Sequence, residues 1–416
     1  MTKTPQTPQN ATIFAILVSP VPKFDIILVL VYHISMDFQR KQKIEEAITP
    51  KRVLLIYGPR RVGKTTLLKK YIKVAKGSVL YTTGDDIDIR RIYESEQRTK
   101  ILSFVESYDV IGIDEAQEIP KVGLGTKMII DEYPEKNIIL TGSSSFGLSQ
   151  EVGAPLTGRH FEMLILPLSQ SEISMGSFEL NNNLDNFLIY GAYPEVLLEN
   201  DPKKKELILR ELISSYLFKD VMVLDKIKSS ELLFSITKCL AFQVGNEVSY
   251  NEIAKTVGTN VKTVIRYIDL LEKIFVIKRI RGFSKNLRNE ISKKAKYYFL
   301  DNGVRNASIS NFNALENRDD IGALWENFIF MELYKKSNLE RKFDNFYFWR
   351  THTGEEIDIV IESDGKLIPF ECKWNKDVVK TPKSWLANYK SEALQVVNKD
   401  NYLEFLILKK NNSIPN

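Results

Sequence analysis

The chain has 416 residues, too many for one typical core, so two or three domains are expected. Its 44% hydrophobic and 27% charged residues describe an ordinary soluble globular protein, and a net charge of +5 confines any nucleic-acid surface to a local patch. Only two cysteines occur, Cys239 and Cys372, far apart in sequence. They exclude a disulfide framework and a cysteine-based zinc site, and they suit a reducing, cytoplasmic setting.

At the N-terminus, residues Ala11–Pro20 and Ile26–Ile34 are apolar, but Pro20-Val21-Pro22-Lys23-Phe24-Asp25 divides them. Each run is about half of the roughly 20 residues that a membrane span requires, so no integral membrane association is expected. No charged leader with a small-residue cleavage site precedes them. Met36 opens ordinary helix-like sequence and is expected to be the true start, with residues 1–35 an artefact of upstream translation. A peripheral membrane anchor is the alternative.

The next segment carries the strongest signal. Val53–Tyr57 has the pattern of a buried strand, and Thr66–Ile72 that of a helix. Between them, Gly58-Pro59-Arg60-Arg61-Val62-Gly63-Lys64-Thr65, followed by Thr66, fits the loop that cradles nucleotide phosphates. The glycines let backbone N–H groups turn towards an anion at a helix N-terminus. Lys64 is expected to reach the β- and γ-phosphates, and Thr65 to place its hydroxyl on Mg²⁺.

Further strands are expected at Val79–Thr83, Val110–Ile113, Ile138–Thr141 and Met163–Leu166, giving a parallel sheet covered on both faces. The third delivers Asp114-Glu115 at its carboxyl edge, beside the phosphate loop. Asp114 is expected to hold Mg²⁺, directly or through water, and Glu115 to orient the attacking water.

The fourth strand ends in Thr141-Gly142-Ser143-Ser144-Ser145, and here the chain resembles the AAA+ superfamily. The resemblance implies a sensor-1 polar residue at Thr141 or Ser143. Gly158-Arg159 and Gly191-Ala192-Tyr193-Pro194-Glu195 are similar to segments of one prokaryotic group of AAA+-type ATPases. That likeness implies ATP as the nucleotide, and Arg159 as the arginine that stabilises the transferring phosphoryl group, in cis or from a neighbour.

Residues 36–170 are thus expected to form the ATPase core and 171–245 a helical lid or linker. From 246 to 300 a short helix ending at Gly258, a second from Asn260 and a strand near Phe275–Gly282 resemble a winged helix-turn-helix. Val261, Val264, Ile265, Ile268 and Leu271 define its buried face, with Lys262, Thr263, Arg266 and Tyr267 outward. Eight basic residues stand against one acid between Val276 and Lys296. Lys262, Arg266, Lys278, Arg279 and Arg281 are the candidate contacts to double-stranded DNA. A protein-protein joint is the competing use, so a protein partner or homo-oligomer stays open.

Residues 301–416 carry a second constellation. Gly354–Glu362 and Leu367–Lys373 form a hairpin in which Asp358 and the pair Glu371 and Lys373 can bind Mg²⁺ and steady a hydroxide. With Glu326 on a preceding helix, this resembles the PD-(D/E)XK nuclease superfamily. The resemblance implies a small α/β restriction-endonuclease-like domain, active or silent. The overall expectation is α/β: a P-loop NTPase sheet with helices on both faces, then a helical and winged-helix region, then that smaller α/β domain. His33, His160 and His352 lack metal-ligand spacing.

Overall fold

The computed structural model describes residues 38–143, 155–215, 230–284, 295–376 and 378–407. The expectations for residues 1–35, for Ser144 and Ser145, and for Lys285, Arg288, Lys293 and Lys294 lie outside these.

The first sheet is built from β1 (Val53–Tyr57), β2 (Val79–Thr83), β3 (Val110–Asp114), β4 (Asn137–Gly142) and β5 (His160–Leu164). All neighbours run parallel in the order β2-β3-β4-β1-β5. Strand alternation sends Leu54, Ile56 and Ile139 into one core, and Val53, Leu55, Ile138 and Leu140 into another. A sheet buried on both faces needs helical cover. Around it run α1 (Lys64–Val74), α2 (Ile87–Glu94), α3 (Arg98–Val105) and α4 (Val122–Glu132).

A helical stretch follows: α5 (Ser177–Asn182), α6 (Leu184–Tyr190), α7 (Pro194–Leu198), α8 (Pro202–Ser215) and α9 (Ser230–Phe242). Next come β6 (Glu247–Val248), α10 (Tyr250–Thr256), α11 (Val261–Lys273), β7 (Ile277–Gly282) and β8 (Ala295–Phe299). Ser249 caps α10, Asn260 caps α11, and Gly258 turns between them at φ 68°. The buried face of α11 is Val264, Tyr267, Ile268, Leu270 and Leu271. Two expectations are therefore corrected: Tyr267 is 4% exposed and Ile265 36%. The stripe at i, i+3, i+4 and i+7 from Val264 takes in position 267 and turns position 265 outward.

The remainder comprises α12 (Asn302–Ser308), α13 (Ile321–Leu339), β9 (Asn345–Arg350), β10 (Glu356–Ser363), β11 (Lys366–Cys372), α14 (Lys383–Asn388), β12 (Gln395–Val397) and α15 (Tyr402–Leu406). Its strands share one sheet with the preceding unit, in the order β12-β11-β10-β9-β7-β8-β6. β7 and β9 join in parallel through Arg281–Tyr347 and Gly282–Phe348. The boundary expected at residue 300 is thus crossed by a continuous sheet. Asn327 of α13 bonds both the N–H and the C=O of Phe299, at 2.8 and 3.0 Å, and seals that crossing. The same helix ties back to the first unit. Lys335 donates to the Leu168 carbonyl at 3.0 Å, and Glu332 accepts from the Gln170 N–H at 2.8 Å.

Candidate functional site

The loop between β1 and α1 takes its shape from two glycines. At Gly58 (φ 143°) a Cβ would stand 2.0 Å from the Ile165 carbonyl oxygen, and Gly63 (φ 96°) lies in the left-handed region just before α1. The loop therefore ends on the N-terminus of an 11-residue helix, where backbone N–H groups lack intrahelical partners. Lys64 donates to the carbonyls of Gly58 and Pro59 at 2.9 and 2.7 Å.

Strand order brings the acids to the loop. β4 lies between β1 and β3, so Thr141, near the end of β4, stands beside both the loop and Asp114. Thr65 Oγ1 donates to Asp114 Oδ2 at 2.7 Å, and the Thr141 hydroxyl donates to Asp114 Oδ1. Glu115 turns out of the strand at φ 48°, its N–H donates to Thr141 Oγ1 at 3.1 Å, and its carboxylate accepts from Gln117 at 2.6 Å. A buried carboxylate beside a threonine hydroxyl at a helix N-terminus is the donor set a magnesium-nucleotide requires, and these residues fit that group. Ser143 is buried nearby in sequence, but Thr141 is the one bonded to both acidic residues.

Arg159 is not brought to this loop. It precedes β5 and its carbonyl accepts from the Val53 N–H, which places it at the amino edge of the parallel sheet. The loop leaves from the other edge, about 13 Å of strand away. Arg159 there pairs with Asp131 at 2.8 Å.

Sequence reasoning missed two supports of the loop. Half-buried Arg40 donates to the Val62 carbonyl and pairs with Glu172 at 3.1 Å; desolvation lowers its pKa while Glu172 opposes the shift. Arg61, a member of the phosphate-loop motif, pairs with Glu195 and Glu211 at 3.4 and 2.6 Å. Glu195 belongs to the Gly-Ala-Tyr-Pro-Glu segment, so that segment touches the phosphate loop directly. No local signal announces them: Arg40 and Val62 lie 22 positions apart, and the ion pairs of Arg40 and Arg61 join residues 132 to 150 positions apart.

The C-terminal acids also assemble. Lys373 Nζ lies 2.7 Å from Glu371 Oε1 and 3.4 Å from Asp358 Oδ2, which also accepts the Cys372 N–H at 2.8 Å. Glu326 accepts from Tyr298 at 2.6 Å and pairs at 3.3 Å with Lys296, singled out in sequence only as part of the basic stretch from Val276. Burial, with Asp358 nearby, pushes the Glu326 carboxyl up to about 7, against the pull of Lys296. Burial and Asp358 also raise Glu371. Among the described residues, no three His, Cys, Asp or Glu side chains are arranged to hold a metal ion.

Of the candidate DNA contacts, Lys262, Arg266 and Arg281 are exposed. Arg279 is committed to Asp269 and Glu272 at 3.3 and 3.2 Å, and Lys278 sits 5.3 Å over the Tyr334 ring. A cleft of about 410 Å³ opens where β7 and β9 fork, lined by Lys278, Arg279, Arg281 and Tyr347 among others. No helix among the described residues is long and apolar enough to cross a membrane.

Residues 50–174 match the family described as an AAA domain. Over those residues the first unit is similar to AAA domains, in keeping with its P-loop NTPase fold. Residues 181–315 and 321–410 match two families described as domains of unknown function. The former spans the boundary near 245 that the sequence suggested. Among curated relatives, an uncharacterised protein of Methanocaldococcus jannaschii is 27% identical over 364 residues, 81% of this chain and 79% of that protein. An uncharacterised protein of Haemophilus influenzae is 27% identical over 310 residues, covering 68% and 74%. Among solved structures, a DNA replication initiation factor overlaps 55% of this chain and 84% of its own, at 18% identity and a TM-score of 0.25. A variant of Thermotoga maritima RuvB overlaps 55% and 82%, at 15% identity and a TM-score of 0.26.

Proposed function

We propose that the chain is a Mg²⁺-dependent ATPase whose turnover is coupled to double-stranded DNA. The observation that carries the first half is the 2.7 Å contact between Thr65 and Asp114, with Glu115 next in the chain. Thr65 and Asp114 would hold the ion, which neutralises charge on the phosphate oxygens when bound. Lys64 reaches the phosphates, and the loop from Gly58 to Thr66, Pro59 apart, lines them with backbone donors. Glu115 orients the attacking water, while Thr141 fixes the backbone of one acid and the carboxylate of the other. Arg159, set away from its own loop, acts on a neighbouring subunit in a homo-oligomer.

DNA coupling draws on the unit from α10 to β8, read as a winged helix. Lys262, Arg266 and Arg281 are exposed basic residues of this unit, and Arg279 pairs with Asp269 and Glu272. Free cysteines at 239 and 372 accord with a cytoplasmic protein. The test is phosphate release from ATP with and without duplex DNA, following the DNA on a gel. Stimulation lost in Lys64→Ala carries the proposal. Hydrolysis that ignores DNA shifts it to a nucleotide switch with a protein partner, and nicking lost only in Lys373→Ala shifts it to an ATP-gated nuclease.

A further inference from the structure

We propose that Lys296 is the resident cation of the C-terminal acid cluster, making that cluster a metal-independent joint between two units rather than a divalent-metal centre. Three carboxylates, Glu326 on α13, Asp358 on β10 and Glu371 on β11, are answered by two lysines. Lys373 comes from the end of the hairpin itself and lies against Asp358 and Glu371. Lys296 comes from β8, which belongs to the preceding unit and is paired on both sides, to β7 and to β6. Its side chain is 3% exposed, its ammonium lies 3.3 Å from Glu326, and Asp358 is the next carboxylate whose charge it senses.

A buried ammonium is retained only where carboxylates compensate it, and buried carboxylates likewise need positive charge. The arrangement meets both needs without a metal. Asp358 and Glu371 are 3% and 6% exposed, and each already has an ammonium among its contacts. The Phe348 ring lies on the other side of the Lys296 ammonium, 5.4 Å from its centroid. A divalent ion would have to displace a lysine held between strands, so the donor set does not fit the metal that a cleaving centre requires. Lys296 is a positioning residue: it fixes β8 against α13 and the hairpin.

The experiment uses the full chain carrying Asp114→Asn, without nucleotide, so the phosphate-loop site contributes no metal and failure of the ATPase proposal leaves the result readable. Mn²⁺ binding is followed by electron paramagnetic resonance, and Tm by calorimetry. With Lys296 present, the expected result is no Mn²⁺ bound through Asp358 and no Tm response to the ion. Lys296→Met should lower Tm by roughly 5 °C or more and create a Mn²⁺ site that restores it. That gain should vanish when Asp358→Asn is added. Lys296→Arg, which keeps the charge, should stay near the parent in both readouts. Mn²⁺ bound to the Lys296 protein and lost on Asp358→Asn overturns the proposal, as does a Lys296→Met protein of unchanged Tm or one that falls without answering Mn²⁺. If Lys296→Met fails to fold, the parent and its Asp358→Asn variant still decide.

Discussion

The phosphate loop and the C-terminal cluster use the same ingredients, carboxylates and lysines, and arrange them to opposite effect. Lys64 is held by two backbone carbonyls, and Asp114 by two hydroxyls. The two hydroxyls on Asp114 are neutral partners that leave its charge for a metal to complement. In the cluster, Lys373 and Lys296 face carboxylates directly, so charge is answered inside the fold. A list of residue types does not distinguish a site from a joint; what each charge already touches does.

The largest effect that would break this contrast is at the loop. Lys64→Ala should remove ATP binding and hydrolysis together. Glu115→Gln should bind ATP but lose turnover by about 10²-fold or more, measured as steady-state phosphate release. Hydrolysis at the parental rate would sink the assignment of the water-orienting residue.

Lys373→Met sharpens the other side. It leaves Asp358 and Glu371 buried without their nearer ammonium and should cost about 3 kcal/mol in denaturant unfolding, discounted for the partial exposure of the lysine. ATP hydrolysis in the folded protein should continue. A silent substitution would mean that the cluster is not a charge-balanced joint.

Titration of Glu326 is the next test. Its folded pKa is raised to about 7 from 4.5, so the native state holds the proton more tightly than the unfolded chain. The resulting stabilisation is fully present below about pH 4.5 and is lost as pH rises through 7, by up to about 3 kcal/mol. Glu326→Gln should flatten that slope in unfolding free energy measured from pH 4.5 to 7.5.

The smallest effect concerns Arg61. Its pairs with Glu195 and Glu211 are partly exposed, so Arg61→Ala should change stability by less than about 1 kcal/mol. A larger loss would show that the contact with the Gly-Ala-Tyr-Pro-Glu segment carries more than surface charge.

The sequence by itself determined whatever lies in one contiguous stretch: the glycine loop between a strand and a helix, the acids ending the third strand, and the hairpin with Asp358, Glu371 and Lys373. Those features rest on local geometry, the period of a strand and the missing Cβ of glycine, which no distant residue has to supply. The face of α11 was legible only in part, because periodicity gives the spacing of a buried stripe but not where packing centres it; Tyr267 went in and Ile265 out. Tertiary structure alone decided that Thr141 bonds both Asp114 and Glu115, that Arg159 stands at the far edge of its sheet, and that Lys296 enters a cluster formed mostly by residues of the next unit. Those contacts depend on strand order and sheet continuity, which are set by burying two faces of a sheet at once and leave no mark in any short window of sequence.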